Sequence, residues 1–350
     1  MRNHRKFFPT PAPILLAAFL LLAAAGQAAW AQDELAVAKD TLAIKADVWE
    51  ISCGTRDLEQ GCVPGNQLRL EIEFQVIGAL PSGGQLWVEY APTGKKPLKF
   101  ACESGEVFQK PDRLQAHCHR ETRAGQEEGI HYKTTVPTGL VPFTIGVRNE
   151  LMETDTVIYK GKFKLGSYKF GTGLEYYVDE DWRLPIGYLY FTGDRGLRIV
   201  TWYRGRPGGI RAFLFYNGKE IAKNEGCGIG TEAEFDPHRM DWWIDDCEIL
   251  GVYLTDPGER QGYDPRFIMG QNPGEYEVKA IVGGKLARSV KFTVREDGTI
   301  DNSIAESNKV GTDRILVPVR VITDPVPWNR QAWKTEAYYG NPLTGFTPPQ

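Results

Sequence analysis

The sequence has few of the residues, and none of the motifs, on which common enzymatic chemistry depends. It contains five histidines in 350 residues. It lacks the G-x-S-x-G, H-E-x-x-H and G-x-x-x-x-G-K-[ST] patterns of hydrolases, zinc proteases and phosphate-binding loops. It also has no excess of basic residues, since 41 Lys and Arg face 45 Asp and Glu. These absences predict a non-enzymatic protein with no cofactor, no metal and no nucleic-acid partner.

Long apolar runs are also scarce, and the one that is present lies at residues 14–25. Three basic residues precede it and the small-x-small sequence at 29–31 follows it, which is the pattern of a signal peptide cleaved after Ala31. Cleavage leaves 319 residues with 38 basic and 45 acidic side chains, a net charge of −7. We therefore expect residues 1–31 to be removed. The product is expected in the periplasm, on the cell surface or secreted, with no transmembrane anchor after cleavage.

All six cysteines follow the predicted cleavage site, and an even number in an exported chain indicates disulfides. Six cysteines allow fifteen connectivities, so the number alone leaves the pairing open. Short sequence separations favour three local pairs: Cys53–Cys62, Cys102–Cys118 and Cys227–Cys247. His117 and His119 flank Cys118, but an oxidised cysteine offers no thiolate, so no metal site is expected there.

Two stretches of the chain repeat one another. Residues 68–74 and 197–203 are matching apolar segments, and each is followed by a turn, a second apolar run and a cysteine, Cys102 or Cys227. The partner cysteine comes 16 residues later in the first stretch and 20 residues later in the second. The repeat favours a local disulfide in each of two similar domains. A further apolar segment at 315–322 is either the first strand of a third unit or a strand that pairs with an edge of the second domain.

Strand patterns dominate the sequence after residue 31. Apolar residues alternate with polar ones from Leu68 to Val76, as in a strand with one buried face and one wet face. Asn217-Gly218 lies between two apolar runs and predicts a two-residue hairpin, because both residues tolerate positive φ. Short strands at regular spacing are typical of β-sandwiches, so we expect an all-β fold.

Residues 273–278, with the sequence P-G-E-Y-E-V, carry a family resemblance. They resemble the P-G-x-Y-x-V entry to the penultimate strand of bacterial immunoglobulin-like and fibronectin-type-III-like modules. In such modules the tyrosine, here Tyr276, packs inward and its hydroxyl bonds to nearby backbone. Together with the repeat, the resemblance implies two tandem Ig-like β-sandwich domains. The residues after 323 are rich in proline and aromatic residues and form a C-terminal arm. Residues 138–143, the matching part of the first stretch, lack the tyrosine.

The C-terminal arm has two interpretations, because its prolines break regular structure while its aromatic residues favour burial. It either wraps back over the domains or docks on a partner. The predicted division of the chain is a signal peptide at 1–31, a first Ig-like domain at 32–166, a linker at 167–183, a second Ig-like domain at 184–296, a linker with an extra strand at 297–323 and the arm at 324–350.

Aromatic residues, 11% of the chain, are the main candidates for function. One predicted partner-binding set lies on the outer sheet face of the second domain and in the arm, and comprises Tyr188, Tyr190, Arg198, Trp202, Trp328 and Trp333. The alternative for the sheet face is that it packs on the other domain or on residues 319–321. A second set, Trp242, Trp243 and Tyr263, has the side chains that stack on sugar rings.

Four carboxylates at 241–248 add two further alternatives. An oxygen-rich loop could hold Ca²⁺, although the alternating D-x-D-x-D-G ligand pattern is missing. Asp245 and Asp246 could serve a hydrolase, since glycoside hydrolysis uses paired carboxylates. A solvated loop inside the ring closed by Cys227 and Cys247 is the simpler interpretation.

Taken together, the sequence favours an exported, non-enzymatic protein-interaction or structural component of the bacterial cell envelope or of an extracellular assembly, with a protein partner in the envelope. A carbohydrate-binding surface or matrix protein, with a polysaccharide ligand, is the alternative. A secreted carboxylate-dependent hydrolase is the second alternative.

Overall fold

Strands dominate the chain, as the alternation of apolar and polar residues predicts. The structure is a computed structural model that describes residues 35–51, 65–94, 96–107, 110–118, 120–121, 127–128, 138–149, 151–170, 173–205, 207–227, 242–258, 263–311, 314–324 and 326–350. The predicted signal peptide and the pair Cys53–Cys62 lie outside these residues. The fold is all-β, with several antiparallel sheets.

Up to residue 179 the strands are β1 (Ala36–Ile51), β2 (Gly65–Ile77), β3 (Gly84–Tyr90), β4 (Leu98–Ala101), β5 (Glu103–Val107), β6 (Lys110–Cys118), β7 (Arg120–Glu121), β8 (Glu127–Glu128), β9 (Gly139–Asn149), β10 (Thr154–Phe170) and β11 (Gly173–Asp179). The strands that follow are β12 (Ile186–Thr192), β13 (Gly196–Arg204), β14 (Ile210–Tyr216), β15 (Lys219–Cys227), β16 (Trp242–Leu250), β17 (Val252–Tyr253), β18 (Phe267–Ile268), β19 (Gly274–Val282), β20 (Lys285–Val294) and β21 (Ile315–Val321). The helical segments are short: α1 (Ser303–Ser307), α2 (Ala337–Gly340) and the 3₁₀ turns Asp181–Arg183, Met269–Gln271 and Ala332–Lys334.

The two halves of the chain use the same order of strands. The first half forms one sheet in the order β1-β2-β6-β5 and another in the order β11-β10-β9-β3-β4. The second half forms one large sheet in the order β15-β14-β19-β20-β21-β12-β13-β16, and β17 pairs with β18 in a separate two-stranded parallel sheet. In the large sheet β12-β13-β16 matches β1-β2-β6, and β15-β14-β19-β20-β21 matches β4-β3-β9-β10-β11. The sequence repeat therefore corresponds to a repeat of topology.

The last strand, β21, explains why the second half forms one continuous sheet. It pairs antiparallel with β20 on one side and with β12 on the other. Its counterpart β11 pairs with β10 and contacts β1 outside the sheet ladder. The segment at 315–322 thus forms an interior strand of the eight-stranded sheet, and so belongs to the second half rather than to a third unit.

The eight-stranded sheet curls into a half-barrel shape whose two end strands, β15 and β16, lie next to each other. The disulfide Cys227–Cys247 joins these strands, and the amide Nδ2 of Asn224 donates to the carbonyl of Glu248 at 2.6 Å. A second disulfide, Cys102–Cys118, joins the end of β4 to β6 at the matching place in the first half. Both local pairs are therefore present as predicted, and two disulfides indicate an oxidising environment.

Two local signals in the sequence form the structures that they predict. Asn217 and Gly218 both have positive φ, 46° and 80°, and connect β14 to β15 as a tight hairpin. Tyr276 is 1% exposed, and its hydroxyl donates to the carbonyl of Asn272 at 2.6 Å. This is the inward-packed tyrosine that the resemblance at 273–278 implies.

Two segments differ from the predictions. The segment 167–183, expected as a linker, contains the end of β10, strand β11 and a 3₁₀ turn. The expectation of a solvated loop at 241–248 is wrong, because residues 242–248 belong to β16, which pairs with β13 from Arg204–Trp242 to Gly196–Leu250. No helix in the described ranges is long and apolar enough to cross a membrane.

Two hydrophobic cores result. The second is formed by inward-facing residues of the eight-stranded sheet, among them Leu197, Ile199 and Val290. The first lies between the two sheets of the first half and also includes residues from the C-terminal arm: Ala332, Ala337, Tyr338, Tyr339, Leu343 and Phe346. The arm therefore wraps back onto the protein and completes the first core.

Candidate binding groove

The outer face of β12 and β13 is largely covered by the first core. Tyr188 is 4% exposed, and its hydroxyl lies 2.6 Å from that of Tyr338 in the arm. Val200, opposite Tyr188 in the ladder, is 2% exposed and belongs to the same core. Packing against the other half was the alternative given for this face, and the structure shows that packing at Tyr188.

Trp202, further along the same face, is covered by the segment that precedes β12. The guanidinium of Arg183 lies 4.5 Å from the centre of the Trp202 ring and 4.4 Å from that of Trp182. Arg183 also pairs with Glu180, with 3.0 Å between Nε and Oε2. Trp202 is thus half-buried behind a neutralised cation, where its ring is occupied by an intramolecular contact.

The other end of this face, near Tyr190, is more open. The hydroxyl of Tyr190 donates to Asp246 Oδ2 at 2.5 Å. The guanidinium groups of Arg198 and Arg314 lie 5.6 and 5.5 Å, respectively, from the centre of the Tyr190 ring. Arg198 Nε lies 3.5 Å from Asp246 Oδ1. Burial, reinforced by the bond to Asp246, raises the pKa of Tyr190 to about 12. Tyr190 and Arg198 thus form a half-exposed polar cluster.

Asp245 and Asp246 point to opposite faces of β16, as neighbours on a strand must. Asp246 faces outward toward Tyr190, whereas Asp245 is 2% exposed and lies opposite Thr201 in the ladder. Its Oδ1 has no hydrogen-bond partner in the described part of the chain. Burial, reinforced by the nearby charge of Asp246, raises the pKa of Asp245 to about 7. The geometry therefore does not place these two carboxylates on either side of one substrate bond.

The sugar-stacking set is only partly described. Trp242 and Trp243 lie in β16, and their side chains fall outside the described part. Tyr263 is 45% exposed, and its backbone N–H donates to the hydroxyl of Tyr253 at 2.7 Å.

The histidines beside Cys118 do not form a metal site among the described residues. His117 Nδ1 lies 3.7 Å from Glu73 Oε1, Cys118 is in a disulfide and His119 lies outside the described residues. No metal-binding group of three or more ligands occurs among the residues described.

The start of the arm is fixed by a buried ion pair. Arg288 Nη2 and Asp324 Oδ1 are 2.6 Å apart, and the two side chains are 0% and 1% exposed. Arg288 also donates to the carbonyls of Trp202 and Thr323, and lies over the ring of Tyr203 at 4.1 Å. Arg288 on β20 makes all of these contacts, so the arm begins at a defined point beside β13.

A second polar contact holds the next residues of the arm. The carboxylate of Asp181 accepts hydrogen bonds from Arg204 Nη1 at 3.4 Å and from the backbone N–H of Asn329 at 2.6 Å. Arg204 Nη1 also donates to the carbonyl of Pro327 at 2.5 Å. The 3₁₀ turn at Asp181–Arg183 and the end of β13 therefore position the segment that carries Trp328.

The docked arm forms a groove of about 450 Å³ against the second half. Pro185, Val319 and Val321 line it from the sheet, Trp328 and Trp333 from the arm, and residues 347–350 from the C-terminus. Trp328 packs against the second core, whereas Trp333 packs against the first core and meets Phe346 edge-on at 6.1 Å. The two arm tryptophans predicted to bind a partner are thus brought to one site. The volume lies in the usual range of ligand pockets.

Sequence reasoning missed the two basic residues of this groove, Arg330 and Lys334. Both are exposed and line it, and their cationic groups lie 5.2 Å from the ring of Trp328 and 5.6 Å from that of Trp333, respectively. A signal was present, because each basic residue follows a tryptophan within two positions in a segment otherwise rich in proline and aromatic residues. The sequence matches no protein-family model, and no curated protein or solved structure resembles it closely enough to count as a match.

Proposed function

We propose that the chain is an exported, non-enzymatic protein-interaction component of the bacterial cell envelope or of an extracellular assembly, and that the groove beside the arm is its binding site. The observation that carries this proposal is the convergence of Trp328 and Trp333, 5 residues apart on an irregular segment, on one groove next to an apolar strip of β21. Aromatic residues beside apolar surface and arginine are typical of the centres of protein interfaces.

The finer architecture is part of the same proposal. Two tandem Ig-like β-sandwich domains would carry the arm, the first extended by β11 and the second by β21 beyond the bounds expected from the sequence. The repeated strand order supports this, and so does the bond from Tyr276 to the carbonyl four residues before it. Binding modules of this kind present a site on a rigid scaffold, and the two disulfides stiffen that scaffold.

Site-specific photo-cross-linking in the producing cells tests the proposal. A benzoylphenylalanine in place of Gln331, an exposed residue of the groove, should give a covalent protein adduct after irradiation. The matched control places the same group at Arg320, which is exposed on β21 but does not line the groove. An adduct at position 331 and none at position 320 is the expected result. Equal adducts at both positions, or none at 331, would contradict the proposal.

Carbohydrate binding is the alternative, and the exposure of Tyr263 is the observation that favours it. A tyrosine ring at the surface can stack on a sugar ring, as can the tryptophans of the predicted set. Pull-down on insoluble polysaccharides separates the two functions. Retention that disappears with Tyr263→Ala but survives replacement of Arg330 and Lys334 would favour the carbohydrate function over the groove.

A further inference from the structure

The groove differs from the rest of the arm interface in its charge. Three arginines beneath the arm each pair with a carboxylate: Arg183 with Glu180, Arg204 with Asp181 and Arg288 with Asp324. In contrast, Arg330 and Lys334 have no carboxylate within salt-bridge distance in the part of the chain that the structure describes. The groove therefore carries two cations that no described side chain neutralises.

The lining of the groove contains no acidic side chain among the described residues. This is notable in a chain with more acidic than basic residues and a net charge of −4. Like charges repel and opposite charges attract, and exposed cations beside a low-dielectric wall strengthen the field at the site. The site is thus electrostatically complementary to an anionic ligand.

The apolar part of the groove indicates the shape of the ligand. The chain's own Pro348 and Pro349 line it together with Trp328 and Trp333. Tryptophan-lined grooves accept proline-containing extended segments, because such segments lose little conformational entropy on binding. The groove thus already has proline beside its tryptophans.

We propose that the groove binds an extended, acidic, proline-containing segment of a partner protein. Carboxylates of this segment pair with Arg330 and Lys334, and its proline or aliphatic side chains lie on the two indole rings. A neutral polysaccharide lacks the charge that the two cations require. This inference rests on the proposed function, since it names the chemistry of the partner for the same site.

A peptide array tests the sequence preference. The probe is the protein comprising residues 32–350, applied to octapeptides that combine Glu, Pro, Leu and Lys in all arrangements. We expect enrichment of peptides that contain both Glu and Pro. Enrichment of Lys-containing peptides, or an absence of binding to every acidic peptide, would overturn the inference.

A titration tests the site. Anisotropy of a fluorescein-labelled peptide selected from the array should report binding that weakens at least tenfold in the double variant Arg330→Glu/Lys334→Glu. The control variant, Arg320→Glu, makes a charge reversal outside the groove and should change the affinity less than twofold. Circular dichroism checks that all three proteins are folded. An unchanged affinity in the double variant would overturn the inference.

Two further experiments distinguish a failure of this inference from a failure of the proposed function. An increase of NaCl from 50 to 500 mM should weaken binding of the acidic peptide, because salt screens exposed charges. Tetragalacturonate serves as an anionic sugar probe, and its binding at the groove without binding of acidic peptides would assign the site to a polysaccharide. If position 331 gives a protein adduct whose cross-linked segment has no acidic residue, the inference fails while the proposed function stands. If no protein adduct forms, the proposed function itself fails.

Discussion

The hydroxyl of Tyr339 accepts a hydrogen bond of 3.0 Å from the backbone N–H of Ile44, a residue 295 positions away. The same hydroxyl accepts a bond from Arg183 Nη2 at 3.0 Å and donates to Glu180 Oε1. Tyr339 is 1% exposed, and burial together with Glu180 raises its pKa above the ordinary range. One phenol therefore connects strand β1, the 3₁₀ turn at Asp181–Arg183 and the arm.

Replacement of this phenol tests the connection. Tyr339→Phe keeps the ring and leaves the N–H of Ile44 and one donor of Arg183 without their partner. A buried donor without a partner costs about 1–3 kcal/mol. We expect the free energy of unfolding, measured with urea, to fall by about 2–3 kcal/mol. Tyr263→Phe, at a residue 45% exposed, is the control and should stay within about 0.5 kcal/mol of the wild type.

Removal of the arm tests whether it is part of the core. A chain that ends at Thr323 loses the buried side chains of Tyr338, Tyr339, Leu343 and Phe346. A large buried side chain contributes about 1.5–3 kcal/mol, and a typical domain is stable by about 5–15 kcal/mol. We expect this chain to lose its near-UV circular dichroism and its cooperative thermal transition. A chain that lacks only residues 347–350, which are exposed or half-buried, should keep both. Cooperative melting of the chain that ends at Thr323, at the same temperature as the wild type, would show that the arm is not part of the core.

The buried pair of Arg288 and Asp324 gives a prediction about charge. Asp324→Asn keeps the shape of the side chain but leaves a guanidinium that is 0% exposed without a counter-charge. Loss of one partner of a buried ion pair costs about 3–5 kcal/mol. Glu225→Gln breaks the exposed pair with Lys223 and should leave the free energy of unfolding close to that of the wild type, because solvent screens exposed charges. Urea unfolding of both variants measures the difference, and similar losses in the two would contradict the assignment.

Asp245 predicts an unusual dependence on pH. Its pKa is about 7 in the folded state, whereas an unfolded aspartate titrates near 3.9. As the pH rises from about 4 to about 7, the unfolded chain loses this proton first, so unfolding becomes easier. The contribution amounts to about 1.4 kcal/mol per pH unit, or about 4 kcal/mol in all, and becomes constant above pH 7.

The variant Asp245→Asn lacks this contribution. The difference in unfolding free energy between variant and wild type should therefore shift in favour of the variant between pH 4 and pH 7 and stay level above it. A difference that does not change with pH would show that this carboxyl titrates normally. Guanidinium-induced unfolding at a series of pH values gives the measurement.

Short-range patterns in the sequence predict much of the fold. The alternation from Leu68 to Val76 gives β2, with Leu70, Ile72 and Phe74 fully buried. Asn217 and Gly218 give the hairpin because their preference for positive φ is local. The two disulfides follow from cysteine spacing within each repeat.

Long-range pairing could not be predicted in the same way. Nothing in the sequence near residues 315–321 indicates that they lie between β20 and β12. At Asp245, a carboxylate in a core position broke the binary pattern of β16 and made a strand resemble a loop. Tyr338 and Tyr339 take positive φ values of 46° and 55°, which bulky residues rarely adopt and which only the surrounding packing can impose.

For the groove, the sequence indicated the two tryptophans as candidates but did not predict that they line the same groove. Trp328 and Trp333 reach one site because Asp324 and Asn329 are held from β20 and from the 3₁₀ turn. These contacts join residues between 36 and 148 positions apart. Such contacts leave no periodic signal in a single sequence.

The docking of the arm has a consequence for the order of events during synthesis. Domains commonly fold from the N-terminus as the chain emerges from the ribosome. Here the first core contains Ala332, Tyr338, Tyr339 and Phe346, which are synthesised after all the strands of that core. Its contacts span almost the whole chain, and closing such long loops is slow. The first core can therefore be completed only after the whole second half has been synthesised.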